Sequence, residues 1–191
     1  AAYEHLYGAG DVVWPASVAL ARLLAHVPSL VSNQRVLELG CGLGAAGLAA
    51  ATAGASSVLL TDRDASVLEW ATQAAAANGV SGVVSTTVLD WTADAAALRD
   101  ALGADAFDVI IAADVLYDEA AAERLAQLLV RLLPPEAASV QRCVISDPPQ
   151  RACRGAFVAA CEAHGLEVDD SPLPGPEGAR MLTVGRVEGP E

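Results

Sequence analysis

Lysine is absent from all 191 residues, and the eleven basic side chains are arginines. That absence removes three chemistries together: a Walker phosphate loop, a Schiff-base lysine, and the Tyr-x-x-x-Lys pair of short-chain dehydrogenases. Histidine is nearly as scarce. His5, His26 and His164 are scattered along the chain, which argues against a histidine metal centre or a histidine-based nucleophile triad. The four cysteines, Cys41, Cys143, Cys153 and Cys161, lack the paired spacing of a zinc site. No metal is therefore expected, and reduced thiols of an intracellular, cytoplasmic protein are the default. Basic charge is short too: 11 Arg face 24 acids, for a net charge of -13. Nucleic acid is disfavoured as a partner, because no basic face offers itself to phosphates. An acidic surface suits a basic substrate, although its usual meaning is solubility alone.

A long hydrophobic run is present only in appearance. Leu39 to Leu60 spans 22 residues without a charge, long enough to cross a membrane. Five glycines interrupt it and strand patterns bracket it, so no membrane span or membrane partner is expected. The 53% hydrophobic content is globular, and the length suits one domain over residues 1–191, with 1–30 as a helical segment packed on its core. A monomer is expected. No signal peptide is visible at the start, and the missing initiator Met leaves open a removed targeting segment and an organelle.

The chain is organised around Arg35 to Asp62, RVLELGCGLGAAGLAAATAGASSVLLTD. Val36 to Leu39 is an apolar strand pattern, Gly40, Gly42 and Gly44 a sharp turn, Ala45 to Ala53 a helix of small residues, and Val58 to Thr61 a second strand delivering Asp62. This is a βαβ nucleotide-binding unit. Glycines allow the turn and let the backbone approach a ligand where a Cβ would collide. Asp62, 20 positions after Gly42, is placed to accept hydrogen bonds from ribose hydroxyls. Gly42-x-Gly44-x-x-Gly47 also fits the dinucleotide fingerprint, but Glu38 tips the balance. A carboxylate beside the glycine loop suits a cation such as the sulfonium and amino groups of S-adenosylmethionine, and repels a pyrophosphate.

Upstream, Pro15 opens a helix with Val18, Leu20, Leu23, Leu24 and Val27 at helical spacing, and Trp14 precedes it as either an anchor or a ligand contact. Downstream, a helix from about Ala65 to Asn78 carries Val67, Leu68, Trp70 and Ala71 as its apolar stripe and stops at Asn78-Gly79. Val83 to Leu89 is a third strand ending in Asp90-Trp91, where a ring can cover an adenine face and a carboxylate accept from its exocyclic amine. Phe107 to Asp114, apolar throughout, reads as a central fourth strand. Asp114 and Tyr117 then face the reacting groups, unless Asp114 caps the helix from Glu119 to Leu133 that Pro134-Pro135 closes. Cys143 to Ser146 is a fifth strand running into Asp147-Pro148-Pro149-Gln150. A helix from about Arg151 to His164 follows, then strands Leu166 to Val168 and Met181 to Val187 joined by a Pro/Gly-rich loop from Ser171 to Gly178.

These segments together resemble the seven-strand class I methyltransferases that use S-adenosylmethionine, and more narrowly their family-16 branch of protein-lysine methyltransferases. The markers are VVWPASVALARLL at Val12 to Leu24, VLELGCGLG at Val36 to Gly44, LLTD at Leu59 to Asp62, LDW at Leu89 to Trp91, and AADVLY at Ala112 to Tyr117. The resemblance implies a three-layer, Rossmann-like α/β fold with sheet order 3-2-1-4-5-7-6, strand seven antiparallel and helices on both faces. It implies that Trp14, Gly40, Gly42, Asp62, Trp91 and Ala113 contact the cofactor with Glu38 in the same shell, and that Asp114 and Tyr117 form the acceptor-lysine site. S-adenosyl-L-homocysteine is then the product and a protein lysine the acceptor. Asp147-Pro148-Pro149 is similar to the Gly-Asp-Pro segment of members that methylate electron-transfer flavoprotein. The rivals are a nucleic-acid or small-molecule amine N-methyltransferase, an NAD-binding oxidoreductase, and a non-catalytic binding module that kept the fold.

Overall fold

The computed structural model describes residues 12–103, 107–133 and 142–186. Seven strands form one sheet in the order β3-β2-β1-β4-β5-β7-β6. They are β1 (Arg35–Leu39), β2 (Ser57–Asp62), β3 (Val84–Val88), β4 (Val109–Ala113), β5 (Arg142–Asp147), β6 (Leu166–Pro172) and β7 (Arg180–Arg186). β1 to β5 pair in parallel, and β7 runs antiparallel between β5 and β6. The order and the reversed strand agree with the expectation from the resemblance.

Strand alternation divides the core into two layers. Leu37, Leu39, Ile110, Ala112, Cys143 and Ile145 pack beneath α4 (Ala95–Leu102), α5 (Glu119–Leu132) and α6 (Arg154–Ala163). Val36, Val58, Leu60, Ile111 and Val144 pack on the opposite face, beneath α1 (Pro15–His26), α2 (Ala45–Thr52) and α3 (Ala65–Ala77). The central strands are covered on both sides, which is why β4 is apolar throughout and β1 is apolar from Val36 to Leu39 but for Glu38. β1 and β4 are neighbours whose connections leave in opposite directions, and that switch point opens a crevice at the carboxyl edge.

Several expectations shift. Trp70 is 59% exposed, so it is not part of the α3 stripe; Val67, Leu68, Ala71 and Ala75 are. At 100° per residue Trp70 falls roughly 115° round the helix from that face. Val27 is 39% exposed, because α1 ends at His26 and Val27 is its C-cap, outside the helical backbone. α6 begins at Arg154 rather than Arg151, leaving Arg151 in the loop after β5. Helix α4 had no counterpart in the sequence reading; Asp94 caps it by accepting from the Ala96 and Ala97 N–H groups. His5, Pro134, Pro135 and Val187 lie outside the described residues.

Candidate active site

The turn after β1 folds through left-handed glycines, with φ of 65° at Gly40, 50° at Gly42 and 77° at Gly44. A side chain at Gly40 would press within 3.1 Å of Val115 Cγ1 and 3.5 Å of the Trp91 ring. Asp62, at the tip of β2, ties this loop down: its Oδ2 accepts from the Gly42 N–H at 3.0 Å and its Oδ1 from the Asp64 N–H at 3.1 Å. Over the same edge opens a cavity of about 770 Å³.

Trp14, Gly40, Gly42, Asp62, Asp90, Trp91, Ala113, Asp114 and Tyr117 all line that cavity, so nine of the sequence-selected residues meet at one site. Asp90 accepts from the Thr92 N–H and hydroxyl at 2.8 and 2.7 Å, and those hydrogen bonds hold its carboxyl below the usual range. Asp114 does not cap α5; Asp118 does, accepting from the Ala121 N–H at 2.6 Å. Asp114 instead takes a left-handed backbone, φ 59°, and pairs with the Arg151 guanidinium.

Two selected residues stand elsewhere. Gly44 is a packing glycine: a Cβ there would lie 2.9 Å from Leu60 Cδ1 and 3.4 Å from Ala71 Cβ. Glu38 is 2% exposed and sits beneath α2, where its Oε2 accepts from the Gly47 N–H at 2.9 Å. Neither is on the cavity wall, so Glu38 props the glycine loop from behind instead of facing a cation. Burial pushes its carboxyl up to about 8, against the pull of the Gly47 hydrogen bond and with help from the nearby Asp62 charge. A raised acid favours folding while protonated. Its contribution is complete below the ordinary value of 4.5 and declines as pH rises to about 8. Glu38→Gln keeps an acceptor for Gly47 and removes the titration. Its melting temperature is expected to change less than the parent's between pH 5 and 9, with a gain on the order of several kcal/mol at the alkaline end. Parallel thermal melts of the two proteins check this; an equally steep decline in both would contradict it.

The sequence reading missed the ion-pair chain behind Asp114. Arg151 Nε reaches Asp147 Oδ1 at 3.3 Å, and Arg154 holds Asp147 Oδ2 through Nε at 3.2 Å and Nη2 at 3.0 Å. Asp147 is buried, which pushes it up to about 6 while Arg154 pulls it down. An acid at a strand end followed by Arg four residues later was the available signal. Among the described residues no cluster suits a metal ion, and no helix is long and apolar enough to cross a membrane.

The lysine methyltransferase family model matches residues 2–152. The chain belongs to that family. The match takes in Asp114-x-x-Tyr117 and the arginine after Asp147-Pro148-Pro149-Gln150. Among relatives of the lysine methyltransferase kind, the electron transfer flavoprotein beta subunit lysine methyltransferase of Danio rerio is 32% identical over 120 residues, which are 62% of this chain and 42% of that protein. Protein N-lysine methyltransferase METTL21A of Danio rerio is 32% identical over 141 residues, 72% of this chain and 62% of that protein. The chain thus spans roughly two fifths to three fifths of the length of these relatives. Magnesium protoporphyrin IX methyltransferase from Synechocystis PCC 6803, solved with bound S-adenosylhomocysteine, matches with TM-score 0.64 at 17% identity, covering 90% of this chain and 82% of that one. That likeness shows the fold alone.

Proposed function

We propose that this protein transfers a methyl group from S-adenosylmethionine to the side-chain amine of a lysine on another protein, within the cytoplasm or a comparably reducing compartment. The observation that carries the reading is that Asp62 at the tip of β2 and Asp114-x-x-Tyr117 after β4 share one cavity over the glycine turn. Membership of the lysine methyltransferase family supports the acceptor class and tells against an NAD-dependent oxidoreductase.

The residues present fit the cofactor. The backbone of Gly40 and Gly42 forms part of the cavity wall, Asp62 offers carboxylate lone pairs to ribose hydroxyls, and Trp14 and Trp91 give apolar faces for a purine. When bound, S-adenosylmethionine supplies a methyl carbon already activated by a sulfonium leaving group. What remains for the protein is to bring in a lysine, strip its proton and aim its lone pair. A free lysine amine has a pKa of about 10.4, so most of it arrives as ammonium. Asp114 captures and orients that group, Tyr117 lines its path, and the proton leaves to water as the channel desolvates the amine. Fixing nucleophile and methyl near contact distance is worth several kcal/mol, of the order seen for oriented reactants.

The decisive experiment incubates the protein and S-adenosylmethionine carrying a labelled methyl group with fractionated extract, then locates the label by mass spectrometry. The beta subunit of electron transfer flavoprotein is the first purified acceptor to try, given the relatives named above. Label on a protein lysine is the expected result. Label on nucleic acid or on a small amine, with none on protein, would overturn the acceptor assignment.

A further inference from the structure

A carboxylate at the acceptor site raises a chemical difficulty that Asp114 alone does not solve. A bare anion beside the acceptor stabilises its ammonium form, which has no lone pair with which to attack. The described structure places a counter-charge where it is needed. Arg151 reaches from the loop after β5, and its fork spans two acids: one nitrogen on Asp114, another on Asp147. The Asp114 and Arg151 side chains are only 10% and 8% exposed. Asp147 is shared with Arg154, whose Nη2 lies 3.0 Å away, so the chain of four groups holds two negative and two positive charges. Of the other acids on the same wall, Asp118 caps α5, and Glu177 pairs through Oε1 with Arg22 at 2.9 Å while its Oε2 is buried without a hydrogen-bond partner.

We propose that Arg151 is a positioning residue of the acceptor site: anchored by Asp147, its guanidinium cancels the charge of Asp114, so that the acceptor amine meets a balanced ion pair instead of a bare carboxylate. This rests on the methyltransferase reading above. The fork also holds the Asp114 carboxylate at one azimuth, which a flexible point charge would not do. An incoming lysine then shares Asp114 with Arg151, is aimed by it, and gives up its proton to water more readily than it would beside an uncompensated anion.

The charge balance can be read without any acceptor, because S-adenosylmethionine and S-adenosylhomocysteine differ by a methyl group and one positive charge. Calorimetry with both ligands on the parent, Arg151→Met, Asp114→Asn and the double variant measures how the cavity treats that charge. Arg151→Met exposes the Asp114 anion and is expected to raise the preference for the sulfonium ligand by roughly three- to tenfold, as expected of unit charges several ångströms apart in a partly solvated cavity. Adding Asp114→Asn should return the ratio to within about twofold of the parent, which isolates the pair as in any double-mutant cycle. Asp147 keeps Arg154 in every variant, while Arg151→Met leaves Asp114 without its guanidinium, so melting curves select the temperature at which every variant is folded for the comparison. An unchanged ratio in Arg151→Met, with ligands still bound, would remove the charge-balancing role and leave the methyltransferase reading standing. A parent protein that binds neither ligand would overturn both.

Discussion

Asp114→Asn is expected to lower methyl transfer by a hundredfold or more while leaving the affinity for S-adenosylhomocysteine within about twofold of the parent. The substitution is chosen for its backbone. Asp114 sits at φ 59°, a region that Asn tolerates and that costs most other side chains about 1–2 kcal/mol. Alanine would therefore mix loss of charge with strain, whereas asparagine isolates the charge. Losing one partner of a buried ion pair ordinarily costs 3–5 kcal/mol, because the other charge is left uncompensated. Here Arg151 keeps Asp147 at 3.3 Å, so the stability loss is expected nearer 1–2 kcal/mol and transfer should suffer far more than folding. Asp62→Ala is the comparator, since Asp62 holds Gly42 and is the residue we propose for the ribose hydroxyls; it should lose cofactor affinity first. If Asp114→Asn weakened S-adenosylhomocysteine as much as Asp62→Ala does, Asp114 would belong to the cofactor's pocket and the acceptor assignment would be lost.

Asp62 and Asp114 were legible because strand ends announce themselves. An apolar run with both faces buried must stop where the sheet stops, and the first polar residue after it stands on the carboxyl edge. Asp114 obeys that rule directly after β4 and Asp62 does so one residue past the buried Thr61, whereas Asp90 follows the polar, half-exposed edge strand β3; all three line the cavity. Glu38 breaks it for a reason the strand period contains. Leu37 and Leu39 point into the layer under α4 to α6, while Val36 points to the other layer. Glu38 shares Val36's face and so lies beneath α2, one residue short of the edge. The pairing of Arg151 with Asp114 was invisible for a different reason: the two lie 37 positions apart, and the local Asp147–Arg151 spacing does not couple two strand-end loops until the β4–β5 pairing is known. Helix α4 was passed over because only Leu98 on it is buried, too little for a periodic signal.

The same buried Glu38 makes Gly47→Ala the most damaging small substitution expected in the fold. On an exposed helix this change is favourable by up to about 1 kcal/mol, since glycine gives up more chain entropy than alanine. Gly47 lies inside α2 with its face turned to β1 and β2. A methyl group there would overlap Leu60 Cδ2, stand 2.5 Å from Glu38 Oε2 and come within 3.3 Å of Val58 Cγ1. Leu60 and Val58 are fixed in β2, so α2 has to lift, and lifting it breaks the Gly47 N–H bond to Glu38. Overpacking of this kind costs about 1–3 kcal/mol, and an orphaned buried carboxyl adds about as much again. A total near 3 kcal/mol corresponds to a fall in melting temperature of about 6–12 °C for a chain of this size. Cofactor affinity should fall as well, because Gly40 to Gly44 is the turn that α2 carries. Gly155→Ala in α6 supplies the opposite sign: nothing lies within 4 Å of its added methyl and its φ is ordinary, so it should be neutral or slightly stabilising. Equal melting temperatures for the two variants would mean that α2 does not rest on Glu38 as described, and the support assigned to the glycine turn would go with it.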